Sequence, residues 1–154
     1  ATPTVLIHRS VLDEVGVFDT GLSIGEDYDL WLRVSRVTPI LRVHAPMVLY
    51  RMHESNTTKR APDRNYKEAV IARAIERWGY RSPDGSLADK AAVMRHLARS
   101  WVDFGAPHLV AGNLSTARQA AFKALRADPS HWTAWKLMAR AVLGTVRGGR
   151  RPPA

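Results

Sequence analysis

Three carboxylates stand close together in the first third of the chain, at Glu26, Asp27 and Asp29, directly after Gly25. Glycine permits a sharp bend, and the helix dipole stabilises negative charge in the first turn of a helix. The segment therefore predicts a loop that opens a helix. An aspartate is ionised at pH 7, and in a closed site it can take a proton from a hydroxyl group. The chemistry that these residues could perform is general base catalysis.

Helical spacing sorts the acids onto two faces of this helix, which we predict to run from about Glu26 to Val37. One face is polar and carries Glu26, Asp29, Arg33 and Arg36. The other is the apolar stripe and carries Asp27, Leu30, Trp31 and Val34. Asp29 and Arg33 are four residues apart and are predicted to pair. We expect Asp27 to be a structural cap or a working group at the floor of a pocket, and its acidic neighbours to point to water.

Apolar runs on both sides of this helix predict the elements that would position it. Residues 4–7, 40–43 and 47–52 are rich in Val, Ile and Leu and predict short strands. Alternation along the third run places Arg51 and His53 on the same side, at the end of the strand. These runs and the helix between them predict an α/β or α+β fold with few strands.

From residue 63 onward the apolar residues recur at helical spacing. Residues 61–86 are predicted to form a helix and a linker. Residues 87–144 predict an all-α extension that resembles a tetratricopeptide unit, and its first helix is expected to close at Gly105-Ala106-Pro107. Residues 145–154 are rich in Arg, Gly and Pro and predict a disordered basic tail. The chain as a whole is expected to be predominantly helical.

Three motifs, taken in order, carry a resemblance to a known family. They are residues 4–19 (TVLIHRSVLDEVGVFD), 25–33 (GEDYDLWLR) and 50–53 (YRMH). Together they make residues 1–60 resemble the C-terminal, acceptor-side half of the catalytic domain of a family 2 glycosyltransferase. The resemblance implies a fragment of the GT-A fold. It also implies transfer of a sugar, with inversion, from a nucleotide sugar to an acceptor hydroxyl.

The resemblance assigns roles to the carboxylates. Asp27 occupies the position of the base in the family's Glu-Asp motif, and Glu26 is its partner there. Acids are also common in the first turn of helices that have no catalytic role, so the structural interpretation stands beside the catalytic one. Asp27-Tyr28-Asp29 spells an Asp-x-Asp metal motif as well. We reject that assignment, because the metal motif belongs at a strand end in the donor half.

Further residues gain expected roles from the same resemblance. His53 and Arg51 fall in the segment that approaches the donor diphosphate and its divalent metal. A neutral imidazole can bind the metal or a phosphate oxygen, and Arg51 supplies positive charge; the alternative for His53 is an exposed residue without a role. Trp31 could line the acceptor pocket, although core packing is the simpler interpretation. The expected cofactor is Mg²⁺ or Mn²⁺, held mainly by a donor-binding half that the chain lacks, so we expect an inactive fragment.

The net charge of +9 and the pI of about 10.6 predict an anionic partner. The chain has no cysteine, which excludes disulfides and thiolate metal sites, and no apolar run approaches the ~20 residues of a membrane span. The expected partners are a nucleotide-sugar donor and a saccharide or lipid-linked acceptor. A minority interpretation of the basic tail is attachment to an anionic membrane surface. We expect a cytoplasmic protein, peripheral at the inner face of the membrane under that interpretation.

Two functions of other classes compete with transfer. A non-enzymatic helical protein-binding module would account for the tetratricopeptide-like part and the basic charge. A nucleic-acid binder is less favoured, because the basic residues are scattered among acids and no recognised nucleic-acid motif is present. We therefore expect no nucleic-acid partner.

Overall fold

The structure, a computed structural model, describes residues 2–22, 24–49, 51 and 61–148. In these residues the chain forms a short 3-10 helix, Thr2–Thr4, followed by α-helices only. The helices are α1 (Arg9–Val15), α2 (Glu26–Val34), α3 (Tyr66–Trp78), α4 (Lys90–Val110), α5 (Leu114–Ala127) and α6 (Trp132–Gly148). No helix in this part of the chain is both long and apolar enough to cross a membrane.

The predicted strands do not form in the described residues, and the α/β or α+β prediction of a GT-A fragment is wrong. Residues 39–49 are irregular, and the pairing that is seen is an isolated antiparallel bridge between Arg81 and Leu87. A strand needs a neighbouring strand to satisfy its N–H and C=O groups, and no such neighbour is present in the described part. Leu6 and Leu49 are each 99% exposed, so the apolar runs bury no face of a sheet. The end of the third run, from Met52, lies outside the described residues.

Two helices end at other places than their sequences predict. Helix α2 stops at Val34, and residues 35–37 form a turn. Helix α4 continues through Gly105 and Pro107 to Val110. Gly105 is buried, and a Cβ atom at this position would lie 2.7 Å from Cδ2 of Leu137 and 2.8 Å from Cβ of Ala120. Close packing with α5 and α6 therefore outweighs the weak helix propensity of this glycine.

Helices α4, α5 and α6 form a three-helix bundle. Short turns at residues 111–113 and 128–131 join them, so each helix folds back beside the one before it. The buried residues between the helices are mostly alanines, in two clusters: Ala117, Ala121, Leu137 and Ala141, and Ala98, Ala124 and Ala134. Small side chains at these positions let the three helices approach closely.

Helices α1, α2 and α3 pack in chain order, and α3 rests on α4. Asn65 caps α3, since its side chain accepts a hydrogen bond of 3.2 Å from the N–H of Glu68. The amide of the same residue donates to Oγ of Ser100 in α4, also at 3.2 Å, and both residues are buried. His108 Nε2 lies 2.8 Å from the carbonyl oxygen of Pro62. These buried polar contacts fix the start of α3, and with it α2, against the bundle.

Candidate functional site

The acidic segment begins at a glycine whose position admits no larger residue without strain. Gly25 has a φ of 84°, and a Cβ atom there would lie 3.5 Å from Cβ of Tyr66 and 3.7 Å from Cγ2 of Val70. The chain thus turns directly against α3 and then enters α2. The bend predicted from the sequence is confirmed, and it aims the positive end of the α2 dipole at the carboxylates of the first turn.

Asp27 is half-buried at the start of α2, and both of its carboxylate oxygens have partners. The hydroxyl of Thr2 donates to Oδ2 at 3.0 Å, and the N–H of Tyr28 donates to Oδ1 at 2.7 Å. These two bonds hold the plane of the carboxylate. Each oxygen keeps one lone pair for a further donor, because a carboxylate can accept about four hydrogen bonds in total. The group can therefore receive a hydroxyl proton without first losing either partner.

Glu26 is the first residue of α2 and is half-buried beside Asp27. Trp31 is also half-buried, and it is not among the residues that line the two cavities described below. Leu30 and Val34, which share its stripe, are buried. Glu26 and Asp27 are neighbours in the first turn of α2, and the roles predicted for Glu26 and Trp31 stay predictions.

The predicted pair of Asp29 and Arg33 is present, with Nε of Arg33 2.9 Å from Oδ2 of Asp29. The expectation that Asp29 points to water is wrong, because the Arg33 and Asp29 side chains are only 12% and 19% exposed. Arg33 also donates to the carbonyl oxygens of Val15 and Val17. It therefore fixes the loop after α1 on the side of α2, a positioning role that local sequence rules do not reveal.

A charged cavity of about 470 Å³ lies beside this ion pair, between α2 and α3. Asp19 forms part of its wall and pairs with Arg73 of α3, with 2.9 Å between Nη1 and Oδ2. The N–H of Gly21, 2.8 Å from Oδ1, and then the Arg73 guanidinium hold the pKa of Asp19 below its usual value. Sequence analysis missed both residues as a site, since they are far apart in the chain. Asp27 does not line this cavity.

A second concavity, of about 430 Å³, lies on the Tyr28 side of α2, between α2, α3 and α4. Its aromatic walls are Tyr28, Trp78 and Tyr80. The hydroxyl of Tyr28 lies 3.4 Å from Nε2 of His96, and burial raises the pKa of this tyrosine. Tyr28 directly follows Asp27, so this concavity adjoins the acidic segment in sequence, as the first cavity does through Asp29. No sequence pattern predicts it, because its walls come from three helices and from the segment that joins α3 to α4.

The predicted partners at the end of the third apolar run are only partly visible. Arg51 is described and is exposed, whereas His53 lies outside the described residues, so the predicted role of His53 stays a prediction. In the described part of the chain, no three His, Asp or Glu side chains come together in a way that could hold a metal ion. The expected Mg²⁺ or Mn²⁺, held mainly by a donor-binding half, stays a prediction.

The chain is similar to curated proteins over part of its length. It is 34% identical over 58 residues to an uncharacterized glycosyltransferase of Rickettsia typhi, which covers 38% of this chain and 18% of the relative. A Rickettsia prowazekii uncharacterized glycosyltransferase is 36% identical over 58 residues, with the same shares. A third, from Rickettsia felis, is 31% identical over 68 residues, or 44% of this chain and 11% of the relative. No protein-family model and no solved structure matches the chain.

The matched residues make up less than a fifth of the length of these curated relatives. The similarity is distant and partial, yet each of these relatives carries the same general name. Over this part of its length, the chain is related to glycosyltransferases.

Proposed function

We propose that this chain is the acceptor-side part of an inverting glycosyltransferase whose donor-binding half belongs to a longer polypeptide. The observation that carries the proposal is the similarity to glycosyltransferases over 58 residues, which covers 18% of the relative from Rickettsia typhi. The placement of Asp27 at the start of α2, held by two hydrogen bonds, supports it. The co-substrates are a nucleotide sugar and a saccharide or lipid-linked hydroxyl.

In the proposed reaction, the acceptor hydroxyl donates its proton to the carboxylate of Asp27 while its oxygen attacks the anomeric carbon of the sugar. The bond from that carbon to the diphosphate oxygen breaks, and the nucleoside diphosphate leaves with the electron pair. Asp27 later releases the proton to water. The bonds from Thr2 and Tyr28 keep the carboxylate oriented, so that less ordering is required when the acceptor binds.

The other expected residues keep their roles within this proposal. Glu26 would assist Asp27 as its neighbour in the first turn, and Trp31 would contact the acceptor sugar. Arg51 and His53 would approach the departing diphosphate and supply positive charge to it. The divalent cation would be held by residues other than the described ones, which offer no group of three ligands.

The product of the complete protein tests this function. The protein would be incubated with UDP-glucose, UDP-N-acetylglucosamine and GDP-mannose in turn, and release of the nucleoside diphosphate would be followed in the presence of simple saccharide acceptors. NMR of the product formed from an α-linked donor should show a β linkage, because a single displacement inverts the anomeric carbon. An α-linked product would contradict the proposed use of Asp27 as a base in a single displacement.

A further inference from the structure

Helix α6 is apolar on the side that faces away from the bundle as well as on the side that is buried. Its inner face carries Ala134, Leu137 and Ala141, which are 0–5% exposed. At 100° per residue, the opposite face carries a second set of apolar residues: Trp132, Trp135, Ala139, Val142 and Leu143. All of them are exposed. We call these five residues the outer face of α6.

The large side chains of the outer face present their apolar parts to solvent. Trp132 is 67% exposed, Trp135 is 52% exposed and Leu143 is 62% exposed. The indole N–H of Trp135 donates to the carbonyl oxygen of Pro129 at 2.9 Å, so the polar atom of that ring is already bonded within the chain. A contiguous exposed apolar surface with two tryptophans is unusual on a monomeric protein and indicates an interaction surface.

Cations border this face, and the sequence around it contains a single acid. Lys136 and Arg140 are exposed at successive turns along one edge, and the Lys136 ammonium lies 5.3 Å from the centre of the Trp132 ring. Residues 104–154 contain eight Lys or Arg and one acid, Asp128, whereas residues 1–103 contain fifteen Lys or Arg and thirteen acids. The positive charge of the chain is thus concentrated in the part that carries the outer face.

The single acid of that part keeps its negative charge, and it lies in the turn before α6. Asp128 accepts hydrogen bonds from the hydroxyl and the N–H of Ser130, at 2.6 and 3.0 Å, in the turn before α6. Those bonds, the hydroxyl first, lower the pKa of Asp128. Its carboxylate is therefore bonded within the α5–α6 turn, and the sequence after it contains no other acid.

We propose that the outer face of α6 docks on an anionic lipid membrane surface. An apolar face with tryptophans, bordered by Lys and Arg, is the pattern of helices that lie in the membrane interface. Trp132, Trp135, Val142 and Leu143 would enter the boundary between headgroups and acyl chains. Lys136 and Arg140 would contact the anionic headgroups. The docking surface is separate from the acidic segment of α2 and does not depend on the proposed transfer reaction.

Vesicle binding by the 154-residue chain tests the proposal. Flotation with vesicles of pure phosphatidylcholine and of phosphatidylcholine mixed with phosphatidylserine should show binding to the mixed vesicles, weakening as salt is raised above about 0.15 M, where the Debye length is about 8 Å. Leu143→Glu should weaken this binding at least about tenfold, because it places a carboxylate in the apolar face. Lys136→Gln and Arg140→Gln should each weaken it about fivefold.

Matched controls distinguish binding through the outer face of α6 from nonspecific adsorption and from a general effect of net charge. Val110→Glu makes the same kind of change at a residue that is 90% exposed on α4, and Arg42→Gln removes an exposed cation from the first part of the chain. Both should bind mixed vesicles like the unchanged chain, and thermal melting should show that all variants are folded. Equal binding to the two vesicle types, or wild-type binding by Leu143→Glu, would overturn the proposal. A different occupant of the face would also overturn the proposal. In that case the unchanged chain would bind neither vesicle type and would form a dimer, and Leu143→Glu would be monomeric.

Discussion

Asp27 and Asp29 stand two residues apart in α2, and their carboxylates have different surroundings. Positions two apart on a helix point about 200° away from each other. Asp27 accepts from Thr2 and from the N–H of Tyr28 near the helix start, where a further donor can approach. Asp29 is bound to Arg33, whose other nitrogens donate to the carbonyl oxygens of Val15, at the end of α1, and Val17, in the loop after it. The carboxylate of Asp27 keeps lone pairs for a further donor, whereas that of Asp29 is held in a largely buried ion pair.

Asp29→Asn should lower the free energy of unfolding by about 2 kcal/mol, because it leaves the largely buried Arg33 guanidinium without its carboxylate. Asp27→Asn makes the same chemical change two residues earlier. Asp27→Asn should lower the free energy of unfolding by about 0.5 kcal/mol, because the neutral side chain interacts more weakly with the helix dipole. Urea denaturation of the two variants beside the unchanged chain measures both effects. Equal losses would contradict the division of roles between the two residues.

The spacing of single residues predicts part of this geometry. The pairing of Asp29 with Arg33 follows from their separation of four residues, and the structure confirms it. The bonds from Arg33 to Val15 and Val17 do not follow, because they join residues 18 and 16 positions apart, respectively. The burial of the pair depends on residues that are distant in the chain, so the local sequence does not reveal it.

At the scale of elements, periodicity predicts helices better than apolar runs predict strands. A helix satisfies its backbone within one segment, so the spacing from Tyr66 to Trp78 is enough to predict α3. A strand depends on a neighbour that its own sequence does not specify, and the apolar runs at residues 4–7 and 40–43 form none. Helix α4 continues past its predicted end for a related reason, since the local sequence does not reveal the close packing around Gly105.

Gly105→Leu should destabilise the bundle by about 2 kcal/mol, because even a Cβ atom at this position would lie within 3 Å of Leu137 and Ala120. The matched control is Ala106→Leu, which adds the same side chain at the next position of α4, where the residue is exposed. The free energy of unfolding of Ala106→Leu should stay within about 0.5 kcal/mol of that of the unchanged chain. Thermal unfolding followed by circular dichroism measures both. A Gly105→Leu variant as stable as the control would show that α4, α5 and α6 do not pack this closely.

At the scale of the whole molecule, the acidic segment of α2 and the outer face of α6 belong to parts that buried polar contacts join. Asn65 bonds to Ser100, and His108 contacts the carbonyl oxygen of Pro62, at the junction of α3 and α4. The sequence reveals the net charge of +9, but its concentration beside an exposed apolar face requires the fold. The proposed arrangement places transfer on one part of the molecule and membrane contact on the other.

The turnover of the complete protein with Asp27→Asn tests the central proposal most directly. The rate of nucleoside diphosphate release in the presence of acceptor would be measured beside Asp13→Asn, which makes the same change at an exposed residue of α1, and donor binding would be measured by calorimetry. If Asp27 is the base, its variant should lose about 10²–10⁴-fold in rate while it binds the nucleotide sugar normally, and Asp13→Asn should be unaffected. A rate for Asp27→Asn within a few-fold of the unchanged protein would contradict the assignment.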